Sequence, residues 1–400
     1  MKIAPLLYCS TPLTSNYDYY DSATETYYFQ DERVLTTYQY EPLNHFTNQP
    51  YVANGYFGSK IPNLGFGFSY DQNENSSSSQ LDAGWPLFNK RYAGAYIAGF
   101  YDAQENTTGT NFPELLKNGY ESVISSIPQW TELKLTLTLK DGSQYVLDPE
   151  NLTSRGLVSD YKQSLNMSSG TVTTSYNWMD LVQLNITVIA HREIALLGLI
   201  RLDIKLLGEP DDISSFLVED ILDFNSTNRC WLQDLGVEQE TASIYMSVNP
   251  ENVPYISASV FSTLKTEPET AHHSFLDHTK VSSSIDVRLS AMNRSFTVLK
   301  YVGIVSSDLE PFSDNLNSGD FQPESNSARV FEAAKSIALS ASRIAWQTPV
   351  HSNENAWEKL WGESEIVVQN DGYMTLAAQA SRYHLFANTR STNTDLTSAL

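Results

Sequence analysis

The chain contains 400 residues, of which 41% are hydrophobic, 12% aromatic and 18% charged. Disordered chains have few aromatics and many charges, so this composition excludes a mainly disordered protein and predicts two to three folded domains of about 100–200 residues each. The net charge of −22 repels phosphate backbones, which argues against a nucleic-acid partner. Carboxylates become neutral at mildly acidic pH, so an acidic compartment would relieve this self-repulsion.

The cysteines and the apolar runs constrain the cellular compartment only loosely. Cys9 and Cys230 permit one disulfide in an oxidising compartment, but nothing in the sequence places them together. No run reaches the roughly 18 apolar residues that span a membrane. The short apolar run at residues 3–8 is poorer than that of a signal peptide, so a mature protein, a trimmed gene model or a truncated leader would all look like this. The low charge and the many Ser, Thr, Asn and Tyr residues resemble secreted or cell-wall proteins.

Sequons for N-glycosylation are frequent along the chain. They permit glycosylation without proving it, because a sequence rich in Asn, Ser and Thr produces several by chance. A secreted glycoprotein is therefore one expectation. The acceptor residues are Asn75, Asn106, Asn151, Asn166, Asn185, Asn225 and Asn293.

The first part of the chain is polar, rich in Tyr and irregular. Residues 1–20 predict an irregular N-terminus, and short edge strands follow between residues 25 and 40. The Asn54-Gly55 pair is a strong turn signal. Residues 71–80 are polar and of low complexity, which is typical of an exposed loop.

Residues 82–111 combine aromatics and glycines at an unusual density, with neither clean strand alternation nor a long helical period. Aromatics bury large areas and stack on sugar faces, and glycine permits close backbone approach. The stretch therefore predicts a connection packed against a sheet. Two interpretations stay open, a core-packing crossover or one wall of a carbohydrate pocket. In the second case, the candidate substrate-binding residues are Trp85, Asn89 and Arg91.

From residue 121 the pattern becomes strongly β. Leucines alternate with polar residues from Leu133 to Leu139, and Asp141-Gly142 then marks a hairpin. The same period of two recurs at residues 182–188, 194–206, 243–248, 256–261, 281–289 and 298–304. So many alternating segments predict a mainly β fold, with a large antiparallel β-sandwich over residues 21–315.

The period then changes to that of helices. Between residues 326 and 346, apolar residues recur at intervals of three and four, which predicts an amphipathic helix ended by Pro349. A short second helix is predicted around residues 357–361. Residues 316–370 are thus expected to form a helical linker.

A third helix is predicted within residues 371–400, with Asp371 as its N-cap. His384 on this helix is expected to be a hydrogen-bonded core histidine rather than a catalytic one. The predicted buried side of the helix carries Tyr373, Leu376, Ala377, Ala380, Tyr383, His384 and Ala387.

Two clusters of titratable residues resemble metal sites at first sight. The first is a group of three histidines: His272, His273 and His278. They lack the i, i+4 spacing of helical metal ligands and a Cys partner, which favours a solvated loop. The second is a group of carboxylates: Asp211, Asp212, Glu219, Asp220 and Asp223. They lack the Gly and terminal Glu of an EF-hand, which favours a charged turn. The sequence also has no Walker loop, G-x-S-x-G or HExxH motif, and no metal or cofactor is predicted.

Five blocks, in order along the chain, resemble the amino-terminal domain of fungal acid trehalases, which share a glycoside hydrolase family with maltose and kojibiose phosphorylases. The Asn-Gly-Tyr-x-Gly block is shared by the whole family, and the Trp-Pro-Leu-Phe-Asn block favours the trehalase branch. A sixth block, ASRYHLFANTRS (380–391), resembles the first helix of the family's catalytic (α/α)6 barrel. The five blocks are VANGYFGSKIP (52–62), GWPLFNKR (84–91), IAGFYDAQ (97–104), TNFPEL (110–115) and ESVISSIPQW (121–130).

The resemblance implies a β-super-sandwich, linker helices and the start of the barrel, with the barrel beginning at residue 371. The reaction it implies is the inverting hydrolysis of α,α-trehalose to two glucoses. Inversion uses an acid and a base carboxylate roughly 6.5–9.5 Å apart, with a water between them. In this family those glutamates lie well inside the barrel, and no matching segment occurs before residue 400. No catalytic residue is therefore predicted, and we expect this chain alone to be inactive.

Two alternatives to this amino-terminal part of a trehalase stay open. One is a non-catalytic carbohydrate-binding or cell-wall sandwich protein, and the other is a fragment of a disaccharide phosphorylase of the same family. The expected partner is a carbohydrate, trehalose, reached through the complete protein, and a homodimer is a further expectation. The expected location is secreted, in the cell wall or periplasm, or vacuolar.

Overall fold

The computed structural model describes residues 17–41, 49–70, 92–105, 119–149, 157–209, 212–308, 323–363 and 365–389. In these residues the fold is mainly β, as the alternation predicted: antiparallel sheets come first and three helices follow. No helix in the described ranges is long and apolar enough to cross a membrane.

The largest sheet formed by the described residues has eleven strands, and each strand pairs antiparallel with its neighbours. Strands such as Thr171–Trp178 bury every second side chain, because alternate residues point to opposite faces. In spatial order the strands are β1 (Tyr19–Asp21), β2 (Thr26–Phe29), β3 (Val34–Thr37), β12 (Val158–Asn166), β13 (Thr171–Trp178), β14 (Val182–Ala190), β15 (Leu197–Leu206), β22 (Ser295–Ser306), β19 (Ala258–Glu267), β18 (Ser243–Pro250) and β17 (Cys230–Glu238).

A second sheet packs against the first and encloses the main core. Leu135 and Phe216 from this sheet share one buried cluster with Leu184 of the large sheet, and the rings of Phe216 and Trp178 lie 6.0 Å apart. The predicted hairpin at Asp141-Gly142 is present, with Gly142 at a φ of +86° that only glycine adopts readily. In spatial order the strands are β11 (Gln144–Leu147), β10 (Leu133–Leu139), β16 (Ile213–Asp223), β21 (Lys280–Asp286) and β20 (His272–Leu276).

Two smaller sheets contain the described part of residues 82–111. The prediction of a connection is wrong for residues 92–105, because they form strands. A bulge between Tyr96 and Tyr101, with Gly99 at a φ of +87°, breaks the period of two and hides the strand from pattern reading. Phe100 is fully buried while Tyr101 is exposed. The sheets are β4 (Tyr51–Ala53), β5 (Phe57–Lys60), β8 (Ala95–Glu105) and β9 (Tyr120–Ile127), and β6 (Ser69–Tyr70) with β7 (Tyr92–Ala93).

The helices are α1 (Pro323–Ser342), α2 (Gln347–Gly362) and α3 (Gly372–Asn388). The predicted face of α1 is confirmed, since Val330, Ala334 and Ala338 are buried against β19 and β22. The expected end at Pro349 is wrong. Pro349 lies in the first turn of α2, where a helix needs no N–H from that residue.

The cap of α3 is confirmed but its buried face is rotated from the prediction. Asp371 Oδ1 accepts a hydrogen bond from the Met374 N–H at 2.9 Å, as an N-cap does. Tyr373 is 56% exposed, although the apolar pattern placed it inside. The hydroxyl of the buried Tyr28 of β2 donates a hydrogen bond to Gln379 Oε1. This polar contact places Gln379, rather than an apolar side chain, on the side of α3 that faces the sandwich. The side chains that are buried are Thr375, Gln379, Tyr383 and Ala387.

Candidate functional site

Several residues singled out in the sequence lie outside the described ranges. Among them are the candidate substrate-binding residues Trp85, Asn89 and Arg91, and this assignment stays a prediction. Cys9 is also outside, while Cys230 is a buried free thiol that lies 3.1 Å from the Ser126 carbonyl oxygen. Burial raises the pKa of this thiol well above its ordinary value.

The histidine cluster lies on a strand rather than in the predicted loop. His272 and His273 begin β20, the outer strand of the five-stranded sheet, and His278 lies in the turn that follows. The prediction failed because edge strands carry polar side chains that resemble loop composition. His272 Nδ1 lies 3.4 Å from Ser283 Oγ. In the described part of the chain, no three His, Cys, Asp or Glu residues are arranged to hold a metal ion.

Three of the clustered carboxylates, Glu219, Asp220 and Asp223, lie on β16, so the prediction of a charged turn is wrong for them. Asp212 immediately precedes the strand, and Asp211 lies outside the described residues. Asp220, in the middle of β16, points into the sandwich and is fully buried. Lys300 Nζ of β22 lies 2.6 Å from its Oδ1, and Ser262 Oγ donates to its Oδ2 at 2.6 Å. A buried lysine across the core thus compensates this carboxylate, a pairing that sequence spacing does not reveal.

A groove of about 570 Å³ opens between the edge of the large sheet, the β4–β5 hairpin and the C-terminal end of α3. Three adjacent strands contribute to its lining: Thr26 of β2 pairs with Thr37 of β3, and Thr37 pairs with Gln163 of β12. Two residues further along, Leu35 pairs with Leu165. Residues two apart on a strand share a face, so the groove has a polar row beside an apolar row.

Further lining residues come from the hairpin and from α3. His384 is exposed and lines the groove, so the expectation of a core histidine is wrong. Its pKa is held below the ordinary value, first by partial desolvation of the ring against the groove wall and then by the charge of Lys60. The Tyr51 hydroxyl lies 3.5 Å from Asn388 Oδ1, across the contact between hairpin and helix. The groove thus joins a sheet edge to a helix.

A buried polar network holds this region together. Asn54, in the turn between β4 and β5, accepts bonds from the N–H groups of Tyr56 and Phe57 at 2.9 and 3.0 Å. Its Nδ2 donates to the carbonyl oxygens of His191 and Ala195, both at 2.9 Å. All four hydrogen-bonding positions of this amide are therefore filled.

The network continues from the sandwich into the helices. The Arg192 guanidinium donates to the carbonyl oxygens of Asn54 and Phe386, and its backbone N–H donates to Asn353 Oδ1 of α2. The Ile194 N–H donates to His191 Nδ1, so the neutral ring carries its proton on Nε2 and donates to the Pro349 carbonyl at 2.8 Å. Burial lowers the pKa of His191, which favours this neutral form.

Sequence reasoning missed the part that residues 191–192 play in this network. The one available signal was a His-Arg-Glu triplet between two apolar strand patterns. It reads as an ordinary turn, because only the tertiary structure shows that the Arg is 2% exposed.

The sequons are not equally accessible. Asn225 and Asn293 are exposed, Asn166 is half-buried and Asn185 is half-buried within β14. Asn75, Asn106 and Asn151 lie outside the described residues.

These features define an antiparallel β-sandwich protein whose C-terminal helices pack against the sandwich through a buried polar network. The model of the glycosyl hydrolase family 65 N-terminal domain matches residues 35–360. Because that match covers most of the chain, the chain belongs to glycosyl hydrolase family 65.

Similar sequences are named as fungal acid trehalases. The cell wall acid trehalase ATC1 of Candida albicans is 38% identical over 382 residues, which cover 94% of this chain and 34% of that protein. The periplasmic acid trehalase ATC1 of Saccharomyces cerevisiae is 36% identical over 384 residues, covering 92% of this chain and 30% of that protein. The chain thus spans about a third of the length of these curated relatives.

A solved structure has the same fold at low sequence identity. It is a protein assigned as a kojibiose phosphorylase from the human microbiome, with a TM-score of 0.61 and 14% identity, over 89% of this chain and 41% of that one. This similarity agrees with the expected sandwich fold and carries no information about substrate.

Proposed function

We propose that the chain is the amino-terminal β-sandwich part of a fungal acid trehalase, an inverting hydrolase of α,α-trehalose. The observation that supports this most is the identity of 38% to the Candida albicans acid trehalase over nearly the whole chain. The proposal includes the sandwich at residues 21–315, a helical linker at 316–370 and the beginning of a catalytic barrel from residue 371.

In this proposal the chain supports the catalytic barrel and does not itself catalyse the reaction. An inverting hydrolase uses two carboxyl groups on opposite sides of the scissile bond. Among the described residues that line the groove, Glu41 is the one carboxylate. The buried network from Asn54 through Arg192 to α2 and α3 would hold the first helices of the barrel in a fixed position on the sandwich.

The proposed location is outside the plasma membrane, in the cell wall or periplasm, as the names of the relatives state for those proteins. The exposed sequons at Asn225 and Asn293 are the proposed glycosylation sites. Expression in a yeast secretory host, followed by enzymatic deglycosylation, should reduce the mass of the chain. The double variant Asn225→Gln/Asn293→Gln should show a smaller reduction, with the remainder coming from the other five sequons, and an unchanged reduction would contradict the choice of these two sites.

The activity test compares this chain with the product of the complete reading frame. Each protein is incubated with trehalose, with and without inorganic phosphate, and the products are followed by NMR. We expect the complete product to release glucose in both conditions, with one of the two glucoses appearing first as the β-anomer, and this chain to release none. Glucose 1-phosphate formed only with phosphate would identify the phosphorylase alternative instead.

Two further results decide the remaining alternatives. A complete product without any hydrolase or phosphorylase activity would favour a non-catalytic carbohydrate-binding protein. Light scattering coupled to size-exclusion chromatography tests the proposed homodimer. A homodimer predicts a mass twice that of one polypeptide of the complete product.

A further inference from the structure

The groove beside α3 has a lining whose chemistry suits one class of ligand. Its volume of about 570 Å³ falls within the range of roughly 300–1,000 Å³ of small-molecule sites. Strands β2, β3 and β12 supply a row of hydroxyl and amide groups from Thr26, Thr37 and Gln163. The adjacent row, Leu35 and Leu165, is apolar. A pyranose has the same division, with hydroxyls at its rim and C–H groups on its faces.

The hydrogen-bonding groups of the lining include donors and acceptors in mixture. Threonine hydroxyls, the Asn388 amide and a neutral imidazole can each donate and accept. The Gln163 Nε2 already donates to the Pro62 carbonyl oxygen at 2.9 Å and to Thr174 Oγ1 at 3.0 Å, so this amide can contribute only its oxygen, as an acceptor. A sugar hydroxyl also donates and accepts, so it can bond to both kinds of group in this lining. Tyr51 is also among the lining residues, and aromatic side chains are a kind of group on which sugars stack.

The charges of the lining favour a neutral ligand. Lys60 and Glu41 both line the groove, so its fixed charges are of opposite sign. The Lys60 ammonium donates to the Gln49 carbonyl oxygen at 3.3 Å. The pKa of His384 is lowered by partial desolvation and by Lys60, which favours the neutral ring. A phosphate-bearing ligand would therefore lie near the Glu41 carboxylate, with Lys60 as its single cationic counterpart among the described lining residues.

We infer that this groove is a binding site for a neutral saccharide of one or two hexose units. The strand rows hold the ring and its hydroxyls, and His384 and Asn388 close the site from the helix. The inference needs only the sandwich and α3, so it does not depend on the trehalase assignment and its test is independent of any activity.

The test titrates this chain with glucose, trehalose and maltose by calorimetry and by saturation-transfer NMR, up to about 10 mM, where even a Kd of about 1 mM gives near saturation. Glucose 6-phosphate is the charged comparison. We expect at least one neutral sugar to bind, and the phosphorylated sugar to bind more weakly. Absence of binding by all three neutral sugars, or preference for glucose 6-phosphate, would overturn the inference.

Two variants localise the binding, each with a matched control. Thr37→Val removes a hydroxyl in the groove and keeps the strand-forming shape, and Thr136→Val makes the same change on β10 of the other sheet. His384→Ala removes a helix residue of the groove, and His351→Ala removes an exposed histidine of α2. Loss of one hydrogen bond should weaken binding by about 2- to 12-fold for each groove variant. Equal affinities of groove variants and controls would place the sugar elsewhere and refute the site.

Discussion

Replacing Asn54 by alanine tests how strongly the buried network stabilises the fold. Asn54 is fully buried, and its amide makes four hydrogen bonds to the backbone. Two of these close the turn between β4 and β5, and two join that turn to residues 191–195. Alanine cannot replace any of them, and the site has no direct access to water.

The magnitude follows from the groups that lose their partner. Two N–H groups and two carbonyl oxygens become unpaired, and a buried unpaired group costs about 1–3 kcal/mol. The carbonyl oxygen of Asn54 itself stays bonded to Arg192, which limits the loss. We therefore expect the free energy of unfolding to fall by about 4 kcal/mol or more, the lower end for four unpaired groups. That is a large part of the total of about 5–15 kcal/mol of an ordinary domain.

The assay is thermal unfolding followed by circular dichroism, with Asn249→Ala as control. Asn249 Nδ2 also donates to two carbonyl oxygens, those of Pro254 and Ile256 at 2.8 Å each, but this side chain is half-buried near the end of β18, beside the accessible turn at residues 251–255. At about 2–4 °C per kcal/mol, a loss of about 4 kcal/mol in Asn54→Ala should lower the midpoint by about 8–16 °C, and the control should lower it by less than about 4 °C. Equal shifts of the two variants would refute the reasoning that burial sets the cost.

Three further changes test the interior. Burial raises the pKa of Glu132 from 4.5 to about 8. Between these pH values the folded chain keeps a proton on this carboxyl group that the unfolded chain releases, so stability should fall as the pH rises. Glu132→Gln should therefore reduce the difference in thermal midpoint between about pH 5 and pH 8. Lys300→Met leaves Asp220 as an unpaired buried charge and should cost about 3–5 kcal/mol in urea unfolding, whereas Lys300→Met combined with Asp220→Leu should cost less. Gly303→Ala would place a Cβ 1.9 Å from the Ala334 carbonyl oxygen. This clash should lower the free energy of unfolding by about 1–3 kcal/mol or more and speed hydrogen exchange in α1. Unchanged exchange would contradict the close contact.

The elements with a regular period were predictable from the sequence. In β13, β14 and α1 one face is buried along the whole element, so local pattern and tertiary environment agree. The N-cap at Asp371 was predictable for the same reason, since the cap depends on residues three apart in sequence.

The functional region depends on contacts that sequence spacing does not encode. Asp220 and Lys300 are far apart in sequence and meet only because β16 and β22 lie on facing sheets. β8 was hidden by its bulge, and the outward position of His384 follows from the rotation of α3 that polar contacts impose. In each case a tertiary contact overrides the local period, which a single sequence does not show.

The network and the groove meet on the same helix, which links stability to binding. Arg192 bonds to the Phe386 carbonyl oxygen, while His384 and Asn388, two residues before and after it, line the groove. The bond that attaches α3 to the sandwich therefore also fixes the distance between the helix and the strand rows of the groove. A ligand that contacts both α3 and the strand rows would stabilise the arrangement in which α3 is docked on the sandwich. The stabilisation equals the difference in its binding free energy between the docked and the displaced arrangement. By the same linkage, a substitution that loosens the attachment of α3 should lower the affinity for the ligand, even when it removes no groove residue.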